Sequence, residues 1–208
     1  KLNEAVQSLL QKTIREHKAV IFNGNGYSAE WHAEAEKRGL PNLRNTITAL
    51  PELVSKAAID LFAKYDVLSE RETKSRYEIY MERYCKDINT EAQTALSMAK
   101  TMILPAAYRY QGELAATAAS LKAIGKNPHL GTLESLTGLV AQLEEKIGAL
   151  EKATCHKGAH DLAGEAGHFY NDVIPAMSAV REISDQLEQI VADDIWPLPT
   201  YREMLLVK

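Results

Sequence analysis

Along two stretches of this chain, apolar residues recur at alternating spacings of three and four, and that rhythm limits the possible fold more than any other feature. Leu133, Leu136, Val140, Leu143, Ile147 and Leu150 keep it without a break. Ala166, Phe169, Val173, Ala176, Val180, Ile183, Leu187 and Ile190 keep it over a longer run. A mean period near 3.5 places one narrow stripe along a helix, and the stripe must face a partner helix to leave water. Tyr110, Leu114, Thr117, Leu121 and Ile124 continue the pattern on a third stretch. The reversals fall near 125–131, where Gly125-Lys126-Asn127-Pro128 and Gly131 break helix, and near 153–160. Short reversals make the three stretches each other's simplest partners, packed antiparallel.

The third stretch has a clear beginning. Ser69-Glu70-Arg71-Glu72 is a capping box, in which the serine accepts from the Glu72 amide and the glutamate reaches back. No glycine follows until Gly112, and Pro105 is the one interior breaker before 124. The spacing therefore predicts a helix from about 70 to about 124, kinked near Pro105 where a backbone hydrogen bond is lost. At 1.5 Å per residue it would reach roughly 80 Å, far longer than a globular domain needs.

Upstream the pieces are short. Val6, Leu9, Leu10, Thr13, Ile14 and His17 mark an amphipathic helix over 3–18. Ala19-Val20-Ile21-Phe22 fits a strand or a buried connection equally well. Asn23-Gly24-Asn25-Gly26 reads as a turn, Ser28 as the cap of a short helix holding Trp31 and Ala35, and Gly39-Leu40-Pro41 as its stop. Pro51 suits the first turn of a further helix with Leu53, Val54, Ala57, Ala58, Leu61 and Phe62 inward. The last stretch, from Asp193 through Trp196-Pro197-Leu198-Pro199 to Leu206, is expected to run extended and dock Trp196 on the base. The fold class is thus all-α: an elongated antiparallel bundle of three long helices, one kinked, on a compact helical base.

Composition excludes some functions. The 208 residues carry a net charge of -4 with basic residues scattered among acids, so no basic stripe points to nucleic acid. No apolar run approaches the roughly 20 residues that span a bilayer. Lys1-Leu2-Asn3-Glu4 shows neither an initiator Met nor a signal-peptide core, and the chain is expected to be cut from something longer. Cys85 and Cys155 lack C-x-x-C spacing and sit in helical stretches, so two reduced thiols in a cytoplasmic protein are expected.

Candidate chemistry is thin. Glu165-Ala166-Gly167-His168 has the E-x-x-H spacing of carboxylate-bridged di-iron bundles, and His156 and His160 fall at i and i+4 beside Cys155 and Asp161. A di-iron site needs a second E-x-x-H, which is absent from the sequence, so a polar helix start with surface histidines is the preferred reading. The turn at 23–26 meets neither the Walker nor the dinucleotide pattern. Ser28, His17, His32 and Asp60 form no recognisable triad, and Arg76, Tyr77 and Glu78 read as i,i+4 partners on a helix face. No catalytic, cofactor-binding or metal residue is assigned.

Four blocks resemble the type III glutamine synthetases: FNGNGYSAEWHAEAEKRGLPNLRNT at 22–46, VLSERETKSRYEIYMERY at 67–84, MAKTMILPAAYRYQ at 98–111 and WPLPTYREML at 196–205. The first and last are the specific ones, and all four come in the family's order. The resemblance implies a C-terminal segment. Residues 1–84 would close the catalytic domain, 85–192 would form the helical region peculiar to type III enzymes, and 193–208 would be the docking tail. It also implies a parent reaction joining glutamate and ammonia at the expense of ATP, with Mg²⁺ or Mn²⁺ in sites placed earlier in the chain. Its implied partners are the rest of the parent chain and neighbouring subunits, in a dodecamer of two stacked hexameric rings. The segment itself is expected to be structural and inactive alone. A regulatory or protein-binding bundle is the alternative, and a metal-dependent bundle enzyme centred on Glu165 and His168 a more distant one.

Overall fold

The computed structural model describes residues 1–155 and 161–205. All regular structure among them is helical, as the apolar periodicity requires. The chain divides into two compact units, Lys1–Glu52 and Leu53–Lys208.

The first unit holds α1 (Leu2–Glu16), a 3-10 turn at Lys18–Val20, α2 (Ala29–Lys37) and nearly all of α3 (Thr46–Leu53). The apolar run at 19–22 is therefore a tight connection and not a strand. Ser28 caps α2, its hydroxyl accepting from the Trp31 amide at 3.3 Å. Gly39 ends it at φ 71°, where its amide donates to Glu36 O and that of Leu40 to Ala35 O. Those two bonds are the Schellman pattern, and the positive φ is why a glycine stands there. Asn45 caps α3 through the Thr48 amide at 2.9 Å. Pro51 lies within α3 and does not open the next helix, contrary to the expectation above. The chain breaks after Leu53, and Ser55 starts a new helix by accepting from the Ala58 amide. In that helix, α4 (Lys56–Lys64), the expected inward Leu61 is 53% exposed.

The second unit is built on a helical run from 70 to 123. Both bonds of the Ser69–Glu72 capping box are present. Helix α5 (Glu70–Met98) passes through a π turn (Ala99–Ile103) into α6 (Leu104–Ala123). The irregularity expected at Pro105 is this turn. The Leu104 amide donates to Ala99 O, five residues back, which widens the backbone just before a ring that would otherwise meet the carbonyl four residues earlier. The same device recurs where no break was expected. Helix α8 (Leu162–His168) joins α9 (Ile174–Glu188) through a π turn at Phe169–Val173, immediately before Pro175.

Helix α7 (Gly131–Thr154) packs against α5, α6 and α9. Three cross-links fix its direction: Lys100 to Glu151, Tyr108 to Glu144 and Gln111 to Thr137. Rising numbers on one helix meet falling numbers on the other, so the pair is antiparallel. The seam is dry at its centre. Leu136, Leu143 and Leu150 of α7 are fully buried, as are Val173 and Leu187 opposite. On the long helix the facing residues are mostly small. Cys85, Ala92, Ala99 and Ala106 are spaced by sevens and buried, which lets the neighbouring helices come close. The seam expected further along α6 fades: Tyr110, Leu114 and Leu121 are half-buried, while Thr117 and Ile124 are exposed. The packing of α6 is chiefly against α7, and one neighbour covers one side of a stripe. Gly125 closes α6 with the same Schellman pattern at φ 76°.

Candidate functional site

The glycine-punctuated block folds upon itself. The Phe22 ring stacks on Trp31 with centroids 4.3 Å apart, and the Arg38 guanidinium lies 5.5 Å from the Trp31 ring. Arg38 also donates to the carbonyls of Ala19 and Ile21 at 3.2 and 2.9 Å and pairs with Glu34 at 2.7 Å. One side chain thus ties the end of α2 to the connection that precedes it. A Cβ at Gly24 would stand 2.5 Å from the Phe22 ring, so a larger residue here would push that ring from its place against Trp31. The polar groups of the loop serve the loop: Asn25 Oδ1 accepts from the Tyr27 amide at 3.0 Å. Tyr27 itself is 96% exposed.

The histidine of the E-x-x-H is equally committed. His168 Nδ1 lies 2.7 Å from Asp172 Oδ2, and Nε2 lies 2.9 Å from the Ala153 carbonyl, joining α8 to the end of α7. Both ring nitrogens face oxygen acceptors. Glu165 lines a small recess of about 180 Å³ together with Cys85, Lys86, Asn89 and Phe169. Burial pushes the Cys85 thiol up to about 11, with the Glu165 charge adding to the rise, so it stays protonated at neutral pH and is a poor nucleophile. Asp161 caps α8 through the Gly164 amide at 2.6 Å. His156 and His160 lie outside the described residues. Among the described residues, no group of three or more His, Cys, Asp or Glu side chains has an arrangement that could hold a metal ion.

Of the remaining candidates, Ser28 and Asp60 have local partners. His17 ends α1, and Asp60 pairs with Lys56 at 2.7 Å. The Ser28 hydroxyl is taken by its cap. Arg76 stands near Glu72, whose carboxyl is held below the usual range chiefly by its bonds to Ser69. Cys85 and Cys155 are free thiols, one buried and one exposed.

One feature was not anticipated. A cleft of about 370 Å³ lies between the tail and the middle of the bundle, walled by Met98, Ala99 and Ile103, by Met177, Val180 and Ser184, and by Trp196, Leu198, Pro199 and Met204. Trp196 is buried there, and its indole N–H has no hydrogen-bond partner among the described residues. The tail thus sets its tryptophan among residues of α5, the first π turn and α9, where docking on residues 1–84 was expected. Arg109 of α6 reaches the Ile195 carbonyl at 3.5 Å on the way. The two prolines at 197 and 199 signalled an extended path, but nothing in them told which surface would receive it.

Several of these polar side chains tie neighbouring helices and loops together, and comparison with other proteins supplies the family. The family model for the glutamine synthetase C-terminal domain matches residues 5–122. A type-3 glutamine synthetase of Dictyostelium discoideum is 35% identical over 98% of this chain and 29% of its own length. A glutamine synthetase of Butyrivibrio fibrisolvens is 32% identical over 98% of this chain and 30% of its own. One from Bacteroides fragilis is 27% identical over 99% and 30%. The chain spans about three tenths of the length of these curated relatives. No helix among the described residues is long and apolar enough to cross a membrane. A match over more than half of the chain to the family model, together with relatives aligned nearly end to end, makes this chain a member of the glutamine synthetase family that carries its C-terminal domain.

Proposed function

We propose that the chain is the C-terminal structural and assembly segment of a type III glutamine synthetase, without catalytic activity by itself. The observation that carries this reading is the asymmetry of the match, nearly all of this chain against three tenths of each relative. In the parent, ATP would phosphorylate glutamate and ammonia would displace the phosphate, giving glutamine, ADP and phosphate. Divalent cations such as Mg²⁺ or Mn²⁺ would neutralise the transferring phosphoryl group, and a dry pocket would keep water from the activated acid. The resemblance to the family locates ATP and metal earlier in the parent chain.

Within the segment, residues 1–84 would close the catalytic domain, 85–192 would form the projecting bundle, and 193–208 would strap it. Its partners would be the rest of the parent chain and neighbouring subunits, in a cytoplasmic dodecamer of two hexameric rings. A protein-binding role for the bundle draws support from Ile124, an apolar seam residue that is 70% exposed at the end of α6.

An assay of glutamine formation tests the first reading. The 208-residue chain supplied with glutamate, ATP, ammonia and Mg²⁺ is expected to form none, while the parent enzyme forms it. Glutamine made by the chain alone would overturn the reading.

A further inference from the structure

The cleft beside the tail has two facing walls and one unsatisfied polar group. Residues of α5, the first π turn and α9 form one wall, and tail residues between 196 and 204 form the other. Met98 and Met177 on the bundle side and Met204 on the tail make the lining flexible and polarisable, able to adapt to a ring or a short alkyl chain. A volume of about 370 Å³ lies in the range of small-molecule sites, and opposed walls suit a compact guest better than a helix or a second chain. Polar groups are few. The Ser184 hydroxyl is buried and already donates to Val180 O at 2.8 Å. Arg181 is held by Asp185 at 2.8 and 3.1 Å. Trp196 is only 9% exposed, and its indole N–H meets no acceptor among the described residues. A buried donor without an acceptor destabilises a fold, so a guest that supplies one gains by it. The N–H has almost no exposed surface, and a guest reaches it through a small turn of the ring, which the methionines can follow.

We propose that this cleft binds a small, uncharged, largely apolar molecule with a carbonyl acceptor, which takes the Trp196 indole N–H and clamps the tail against α5 and α9. The site stands apart from the assembly role given above and does not depend on it. Each part of the guest's chemistry comes from a part of the wall. The methionines and the tryptophan select an apolar body, and the unpaired N–H selects an acceptor. A plain hydrocarbon would fill the same space and leave the donor unpaired. The ionic residues of the lining are Arg181, Asp185 and Glu188, one positive and two negative, which gives an anion no advantage. Because the tail is one wall, the guest binds only while the tail is docked, and its binding holds the tail there by mass action.

Butyrophenone, butylbenzene and 4-phenylbutyrate serve as matched probes. Butylbenzene has a methylene in place of the carbonyl, and 4-phenylbutyrate carries a carboxylate at the chain end. Each is titrated into the nitrogen-15-labelled 208-residue chain, with the Trp196 indole N–H told from that of Trp31 by the variant Trp31→Phe. Butyrophenone should bind with a Kd below about 1 mM, in keeping with its size, and move the Trp196 indole proton downfield. Amide exchange across residues 196–204 should slow as it binds. 4-Phenylbutyrate should bind at least tenfold more weakly. Butylbenzene at its solubility limit should not displace butyrophenone, although a merely apolar cleft would favour the hydrocarbon. Trp196→Phe keeps an apolar wall and removes the donor, and should weaken butyrophenone at least about fivefold. If that variant does not fold, the three probes decide the matter on the unaltered chain. A Kd above about 1 mM, displacement by butylbenzene, equal binding of the carboxylate or unchanged affinity in Trp196→Phe would each overturn the proposal. So would a long-lived water at the indole N–H that persists in the presence of butyrophenone, since the donor would then already have its partner.

Discussion

Helices α1 and α7 both carry apolar stripes of helical period, and they end in opposite surroundings. On α7 the stripe is sealed: Leu136, Leu143 and Leu150 have no exposed surface, with Val173 and Leu187 buried on the helix that packs against it. On α1 the corresponding leucines and isoleucine are more than half exposed. Period tells which face of a helix seeks cover, and it is silent on whether the cover belongs to the same stretch of chain. The bundle unit contains its own partners. The first unit, by contrast, spends its specific interactions on the Phe22–Trp31–Arg38 stack and leaves its longest helix open.

Truncation should expose the contrast most strongly. Leu143→Ala removes a fully buried side chain and should cost about 2–5 kcal/mol in urea unfolding of the chain. Leu9→Ala should stay within about 0.5 kcal/mol, because the atoms removed already touch water. If the two costs are alike, α1 is packed and the contrast is false.

The small-residue side of the bundle allows a second test. Ala106 is fully buried just beyond the first π turn, and Ala106→Leu forces extra methylenes into a closed seam. The expected cost is about 1–3 kcal/mol by the same measurement. A neutral result would mean that the π turn gives the helix room to shift.

These alanines also show what the sequence conceals. Large residues at alternating threes and fours announced α7 and α9, whereas Cys85, Ala92, Ala99 and Ala106 carry the same seam in side chains too small to stand out. Pro105 announced a disturbance, and Pro175 brings the same π turn inside a stretch whose apolar rhythm masked it. The signature at 22–46 was legible as a specified backbone path because Gly24 and Gly39 each have a local reason to be glycine. Pro51 misled, since a proline suits a first turn but here stands at the sixth position of an eight-residue helix. The cleft beside Trp196 depends on where the tail crosses the bundle, a long-range matter that local spacing does not encode.

Cys85 supplies a pH test of how closed the bundle is. Its thiol pKa is raised from 9.0 to about 11, first by burial. Between those values the unfolded chain loses a proton that the folded chain keeps, so fewer protons are bound in the unfolded state and stability falls as pH rises. The contribution is intact below about pH 9 and should fade by on the order of 1–2 kcal/mol toward pH 11. Unfolding of Cys85→Ala at a series of pH values should lack that part of the slope. An unchanged slope would mean that solvent reaches the thiol.

Helix ends provide the smallest effects and the cleanest control, because they are local and should not distinguish the two units. Gly39 in the first unit and Gly125 in the second each end a helix at positive φ through the same pair of backbone bonds. A Cβ at either would meet open space, so the strain of replacing either with alanine is conformational alone, about 1 kcal/mol at each. Asp66 makes the same turn at φ 54°, with the Val67 amide donating to Phe62 O and its own amide to Ala63 O. Here the left-handed residue is not glycine, and Asp66→Gly should relieve strain while loosening the unfolded chain, a net gain of a few tenths of a kcal/mol. Urea unfolding of the three variants checks this. Equal costs at Gly39 and Gly125 would show that the two units unfold together and that their difference lies in packing. A cost seen only at Gly125 would show that the first unit opens separately, as expected of a region whose main helix lacks its cover.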